Sequence, residues 1–181
     1  MDTIVDDRGP GCQLELLPLM PSVGSFKSDK AAPPVIRRCT PRMLSRYPYI
    51  RINPPRLALW IVHDVDRPGG ALAWEESLLP PPAWAATNPE NGHAHLGYPL
   101  AAPVLTGDGA RDAPLRYLAA IEAGMRAKLG ADPAFSASSD HSKNPLWKGW
   151  KVLYGPAKTW ELGELAEWVD LPRHMPRRGL R

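Results

Sequence analysis

Residues 57–62, Leu-Ala-Leu-Trp-Ile-Val, are apolar without a break and then give way to His63-Asp64-Val65-Asp66. Such a run predicts a central strand over 57–65 with polar residues at its end, stopped by Pro68-Gly69-Gly70. Residues 47–53 alternate and predict an earlier strand, closed by Pro54-Pro55. Residues 84–87 and 93–100 predict a hairpin, because the segment between them, Asn88-Pro89-Glu90-Asn91-Gly92, is made of turn formers. Residues 150–154 predict a further strand.

Helical spacing appears in other places. Leu115, Leu118, Ile121, Met125 and Leu129 recur at three- and four-residue intervals, with Asp112 as the expected N-cap and Gly130 as the stop. Residues 71–79 predict a short helix ended by three prolines. Leu162, Leu165 and Trp168 predict another, with Thr159 as the expected N-cap, and residues 41–46 predict a helical turn or two. These elements imply an α+β domain: a mostly antiparallel sheet with packed helices, compatible with an RRM-like or ferredoxin-like core. Residues 1–35, interrupted by Gly9-Pro10-Gly11, Pro18, Pro21, Gly24 and Pro33-Pro34, are expected to be a flexible arm. The domain is expected over 36–170, followed by a basic tail over 171–181.

Composition narrows the class. The chain has 181 residues, 44% of them hydrophobic, which suits one domain with a sizeable core. No apolar run is long enough to span a membrane, and the acidic start, Met1-Asp2-Thr3-Ile4-Val5-Asp6-Asp7, lacks the order of a signal peptide. Cys12 and Cys39 are the only cysteines, so a disulfide framework is excluded and a reducing cytosol is the expectation. The net charge of +3 is modest, but the basic residues cluster. Arg37, Arg38, Arg42 and Arg46 lie in a stretch from Lys27 to Arg56 whose only acid is Asp29, and Arg173, Arg177, Arg178 and Arg181 close the chain. Such clusters fit phosphate contacts with DNA or a solubilising surface. Tyr47, Tyr49, Trp84, Trp147, Trp150 and Trp160 serve either as core or as stacking surfaces for bases.

The candidate chemistry follows from the strand period of two. Asp64 and Asp66 project to one face, as do His93 and His95. Paired carboxylates repel each other unless a cation lies between them, and Mg²⁺ favours carboxylates together with substrate phosphates. Asp140 is a candidate third carboxylate, since two-metal sites commonly use a further acid. Lys143 and Asn144 are candidates for contacting a nucleotide. The histidines fit a structural role, a metal or a phosphate, and spacing alone leaves these open.

An ordered series of motifs resembles the plasmid replicase (Rep) family, replication initiators within the archaeo-eukaryotic primase superfamily. It runs Ile52-Asn53-Pro54-Pro55, His63-Asp64-Val65-Asp66-Arg67-Pro68, Asn88-Pro89-Glu90-Asn91-Gly92-His93-Ala94-His95-Leu96-Gly97-Tyr98, Ala113-Pro114-Leu115-Arg116-Tyr117 and Lys143-Asn144-Pro145. Asp64 and Asp66 match the superfamily's first motif, two acids separated by one residue. His93 or His95 supplies the second, a small residue, any residue, then histidine. The third is a lone acid after a hydrophobic residue, and Asp140 departs from it because Ser139 precedes it. The resemblance implies a primase-polymerase catalytic core in the bacterial cytoplasm that makes primers from NTPs or dNTPs on a single-stranded template at a plasmid origin. A host DNA polymerase then extends them. It implies Mg²⁺ or Mn²⁺ held by Asp64, Asp66 and Asp140, with His93 or His95 on the triphosphate. Family members continue into C-terminal regions, so a chain ending at Arg181 reads as a catalytic domain alone.

Two rival readings compete. His93-Ala94-His95 also matches the histidine-hydrophobic-histidine metal motif of rolling-circle nucleases and relaxases, which need a helical tyrosine nucleophile; Tyr117 is the candidate. That reading leaves Asp64 and Asp66 unexplained. The other rival is a non-catalytic DNA-binding module.

Overall fold

The computed structural model describes residues 41–137 and 141–171, and the backbone alone of 23–26 and 35–38 and at positions 41 and 42. The fold is α+β and mostly antiparallel, built on two four-stranded sheets rather than one. The larger sheet has the order β4-β6-β5-β8, formed by β4 (Leu57–Val65), β5 (Trp84–Thr87), β6 (Ala94–Leu105) and β8 (Lys151–Tyr154). The smaller has the order β2-β1-β3-β7, from β1 (Val23–Phe26), β2 (Val35–Arg38), β3 (Tyr49–Ile50) and β7 (Ser142–Lys143). The helices are α1 (Pro41–Leu44), α2 (Ala73–Glu76), α3 (Asp112–Leu129) and α4 (Leu162–Ala166).

The larger sheet buries both faces, which explains why β4 is apolar at successive positions. On one face Ile61, Val65, Leu96 and Tyr98 pack under α3 and α4 through Leu118, Ile121, Met125 and Leu165. On the other, Trp60, Val62, Trp84 and Ala86 pack against Leu44, Ile50 and Ile52 from the region of the smaller sheet. A glycine is required where β6 runs beside Trp84 of β5. A Cβ on Gly97 would lie 2.3 Å from the Trp84 indole, so the ring occupies the space a side chain would take.

Asn53 fastens the chain to the outer edge of β4. Its buried side-chain oxygen accepts the N–H groups of Leu59 and Trp60, and its amide donates to the Trp60 carbonyl. These bonds satisfy edge groups beside the register shift between Ala58 and Trp60.

The predicted hairpin forms as expected, with Asn88 and His93 bonded across its turn, and its second strand continues to Leu105. Other expectations change. The strand predicted over 47–53 shrinks to Tyr49–Ile50 in the smaller sheet, because Pro48 and Pro54-Pro55 limit its ladder. The expected arm contains β1, which pairs with both β2 and β3, so part of it is built into the fold. The long helix starts at Asp112 with Arg111 at its cap, and Asp112 pairs with Arg116 at 3.0 Å instead of capping. The last helix is capped by Glu161, not Thr159, through a capping box with Glu164. Residues 1–22 and the tail beyond 171 lie outside the described residues. No helix among the described residues is long and apolar enough to cross a membrane.

Two outcomes check this packing. Gly97→Ala forces Trp84 from its place and lowers the thermal midpoint by several degrees, for a cost of about 1–3 kcal/mol. Gly163→Ala, exposed in α4 with nothing near its Cβ, raises stability by up to about 1 kcal/mol. Thermal denaturation of both variants reads the opposite signs.

Burial pushes the Glu122 carboxyl up to about 7, opposed by Arg126. Its folded pKa thus exceeds the unfolded value, so the folded state holds the extra proton and Glu122 costs stability as pH rises from about 4.5 through 7. Glu122→Gln is therefore more stable than wild type at pH 8 and equal to it at pH 4, as denaturant titrations at both pH values will read.

Candidate metal centre

Asp64 sits one residue before the end of β4, on the same face as Trp60 and Val62, and its register partner on β6 is His95. Asp66 follows two residues later and is exposed. Both point away from the α3 face, toward the side where the smaller sheet packs. A third carboxylate joins them. Asp132, two residues beyond the left-handed Gly130 that ends α3, donates its backbone N–H to the Asp64 carbonyl at 2.8 Å. Oxygens of Asp64, Asp66 and Asp132 all lie within 4.8 Å of one another.

At that separation each pair of charges repels by about 3 kcal/mol at an effective dielectric near 20. The protein offsets part of this. His95 Nε2 lies 3.1 Å from Asp64 Oδ1, and Lys143 Nζ lies 3.6 Å from the same oxygen. His95 is 3% exposed, and its Nδ1 accepts the Lys143 backbone N–H at 3.2 Å. A neutral His95 therefore carries its proton on Nε2, aimed at Asp64. Phe135 packs edge-on against the ring at 4.9 Å. His93 is more exposed, with Nδ1 3.0 Å from Asp66 Oδ1. The Asp132 side chain accepts the Ala134 N–H at 2.8 Å, which fixes the loop after α3. Asp64's charge also reaches Tyr49, whose hydroxyl is held above its usual range mainly by burial and secondarily by that carboxylate.

The sequence candidates divide clearly. Asp64, Asp66, His93, His95 and Lys143 come together. Asn144 does not present its side chain for a nucleotide contact. It is fully buried, donating to the carbonyls of Leu44 and Tyr47 at 2.8 and 2.7 Å and accepting the Leu146 N–H at 3.0 Å. Its role is to anchor the segment that carries Lys143. Asp140 lies outside the described residues, and the third carboxylate among those described is Asp132. Asp132 follows Ala131, so the pattern of a lone acid after an apolar residue was the one signal that could have found it. Arg46 is exposed beyond α1; the side chains of Arg37, Arg38 and Arg42 lie outside the described residues. His63, immediately before Asp64 in sequence, points into the α3 face. Burial pushes its pKa down to about 3, helped by Arg126, so it stays neutral in the core.

Three convergent carboxylates form a hard oxygen donor set suited to Mg²⁺ or Mn²⁺. Two histidines and a lysine around them orient the acids and leave positive charge beside the site. The site thus combines an acid pair at the end of β4, the histidine strand β6 beside it and a third acid just beyond the end of α3. The fold is similar to that of the AEP domain of the cyanophage S-2L primase-polymerase (PrimPol, PP-N190), with a TM-score of 0.61 and 12% sequence identity over 82% of this chain and 87% of that one. The model of the Replicase family matches residues 20–169, and the chain belongs to that family. No curated protein matches it.

If the three acids share a cation, Mn²⁺ raises the melting temperature of the wild type, because a ligand of the folded state stabilises it by mass action. Asp132→Asn shrinks that shift strongly even though it removes one repelling charge and melts at or above the wild type without metal. Differential scanning calorimetry with and without Mn²⁺ measures both.

Proposed function

We propose that this replicase-family domain is the primase of a plasmid replication initiator, transferring nucleotides from NTPs or dNTPs onto a DNA template. The convergence of Asp64, Asp66 and Asp132 within 4.8 Å carries this reading. It is supported by family membership and by the likeness to a primase-polymerase domain.

In this reading Asp64, Asp66 and Asp132 would hold Mg²⁺ or Mn²⁺, which would supply charge neutralisation for a triphosphate and its leaving pyrophosphate. His95 holds Asp64 in place through Nε2 and is itself held by the Lys143 backbone. His93, nearer solvent, donates to a triphosphate oxygen. The Lys143 ammonium balances Asp64 and would add positive charge for the same phosphates. Arg37, Arg38, Arg42 and Arg46 are the proposed DNA contacts, with plasmid origin DNA and single-stranded template as partners and a host DNA polymerase acting downstream.

The tyrosine-nuclease alternative fits less well. Tyr117 packs with the core under α3, on the opposite face of the larger sheet from Asp64 and His95. A nucleophile there stands behind the sheet from the histidines it needs.

Incorporation of labelled NTPs and dNTPs on single-stranded DNA with Mg²⁺ or Mn²⁺ tests the proposal. Asp64→Asn and Asp132→Asn are expected to lose roughly 10³-fold in rate, several kcal/mol of transition-state stabilisation. Asp140→Asn and Tyr117→Phe retain most activity. Strand nicking that leaves protein covalently attached to DNA, and that Tyr117→Phe abolishes, would sink the primase reading.

A further inference from the structure

The tryptophans of this fold differ in burial. Trp60, Trp84 and Trp160 are buried in the two cores. Trp147 and Trp150, by contrast, are only partly covered and stand with Tyr49 in a continuous aromatic row. Tyr49 meets Trp150 at 5.6 Å between ring centroids and Trp150 meets Trp147 at 4.8 Å, with interplanar angles of 68° and 66°. Neither contact is a parallel stack, so the neighbours fix each ring's orientation without covering it face to face.

The row is rigidly mounted. Asn144 anchors the segment, and Trp147 and Trp150 close two successive turns onto the carbonyls of Asn144 and Trp147. The Trp150 indole N–H donates to the Pro48 carbonyl at 2.7 Å. A Cβ on Gly149 would lie 2.0 Å from the Trp147 ring, so the ring occupies the space a side chain at 149 would take.

One end of the row lies on the strand paired with Lys143, on the Asp64 side of the smaller sheet. Tyr49 pairs in register with Lys143 and feels the charge of Asp64, and Lys143 Nζ is 3.6 Å from Asp64. Exposed Lys148 and Lys151 flank the two tryptophans. Partly open aromatic rings bordered by lysines match the chemistry of a single strand of nucleic acid, whose bases stack while its phosphates meet cations.

We infer that Trp147 and Trp150, continued by Tyr49, form a stacking platform for the bases of a single-stranded template leading to the Asp64 site. The inference rests on the nucleotidyl-transfer reading above. Trp147 supplies the outer stacking surface, Trp150 the support that locks it, and Lys148 and Lys151 the phosphate contacts.

Anisotropy of labelled oligothymidylate, titrated with the full chain in Mg²⁺ buffer without nucleotides, tests it. Trp147→Ala is expected to weaken binding about 10-fold, and Trp147→Phe, which keeps an aromatic face, to stay within about threefold of wild type. Trp168→Ala, an exposed tryptophan beyond α4, leaves affinity unchanged. Lys148→Ala and Lys151→Ala each lower the slope of log affinity against log salt by about 0.7, a readout that stands even where Trp147→Ala does not fold. Wild-type affinity in a folded Trp147→Ala, an unaltered salt slope in both lysine variants, or no affinity in the wild type overturns the platform. So does a Trp147-dependent dimer in sedimentation with unaltered DNA binding, which would make the row a self-association surface. Nucleotide incorporation by wild type with unaltered template binding in Trp147→Ala sinks the platform alone. Trp147-dependent binding without any incorporation sinks the polymerase reading alone.

Discussion

A single backbone hydrogen bond, from Asp132 N–H to the Asp64 carbonyl, brings the third carboxylate against the first two. Bringing three acids together is opposed by their own charge, so side-chain attraction cannot assemble them. Backbone geometry must do it. β4 and β6 place Asp64 beside His95 through their ladder, and the end of α3 delivers Asp132 across the edge of β4. The two apolar cores on either face of the larger sheet supply the free energy that tolerates this concentration of charge.

The protein also arranges how that charge is answered. Each histidine faces its own aspartate, His95 to Asp64 and His93 to Asp66, and the two differ chiefly in burial. A buried imidazole with both nitrogens directed is suited to holding geometry. An imidazole nearer solvent is suited to meeting a substrate. The Lys143-Asn144 pair divides its work in the same manner: the asparagine is consumed by backbone groups so that the lysine beside it has a fixed position.

Much of the strand-borne half of the site was legible in the sequence. Asp64 and Asp66 end an uninterrupted apolar run, where the strand period alone sets their common face, and the turn at 88–92 sets the hairpin that brings His93 and His95 alongside. Asp132 was not found because its position depends on where a helix stops and which edge it meets, a tertiary fact with only a faint local trace in Gly130-Ala131-Asp132. The second sheet was hidden for a related reason. β3 and β7 are two residues each, too short to carry a period, and they become strands only because their neighbours supply partners. Asn144 looked like a ligand-binding residue because polarity is visible in sequence and burial is not.

The mounting of Asp132 at the end of α3 makes that helix a ruler. Its 18 residues fix both how far the acid travels and the direction from which it arrives. One residue added to or removed from its interior would turn everything beyond by about 100° and move it by about 1.5 Å. Length variation in this protein is therefore expected to accumulate in the turns and the chain ends, while the span between the first helical residue and Asp132 stays constant, a spacing that serves as a better identifier of a functional copy than any single residue within it.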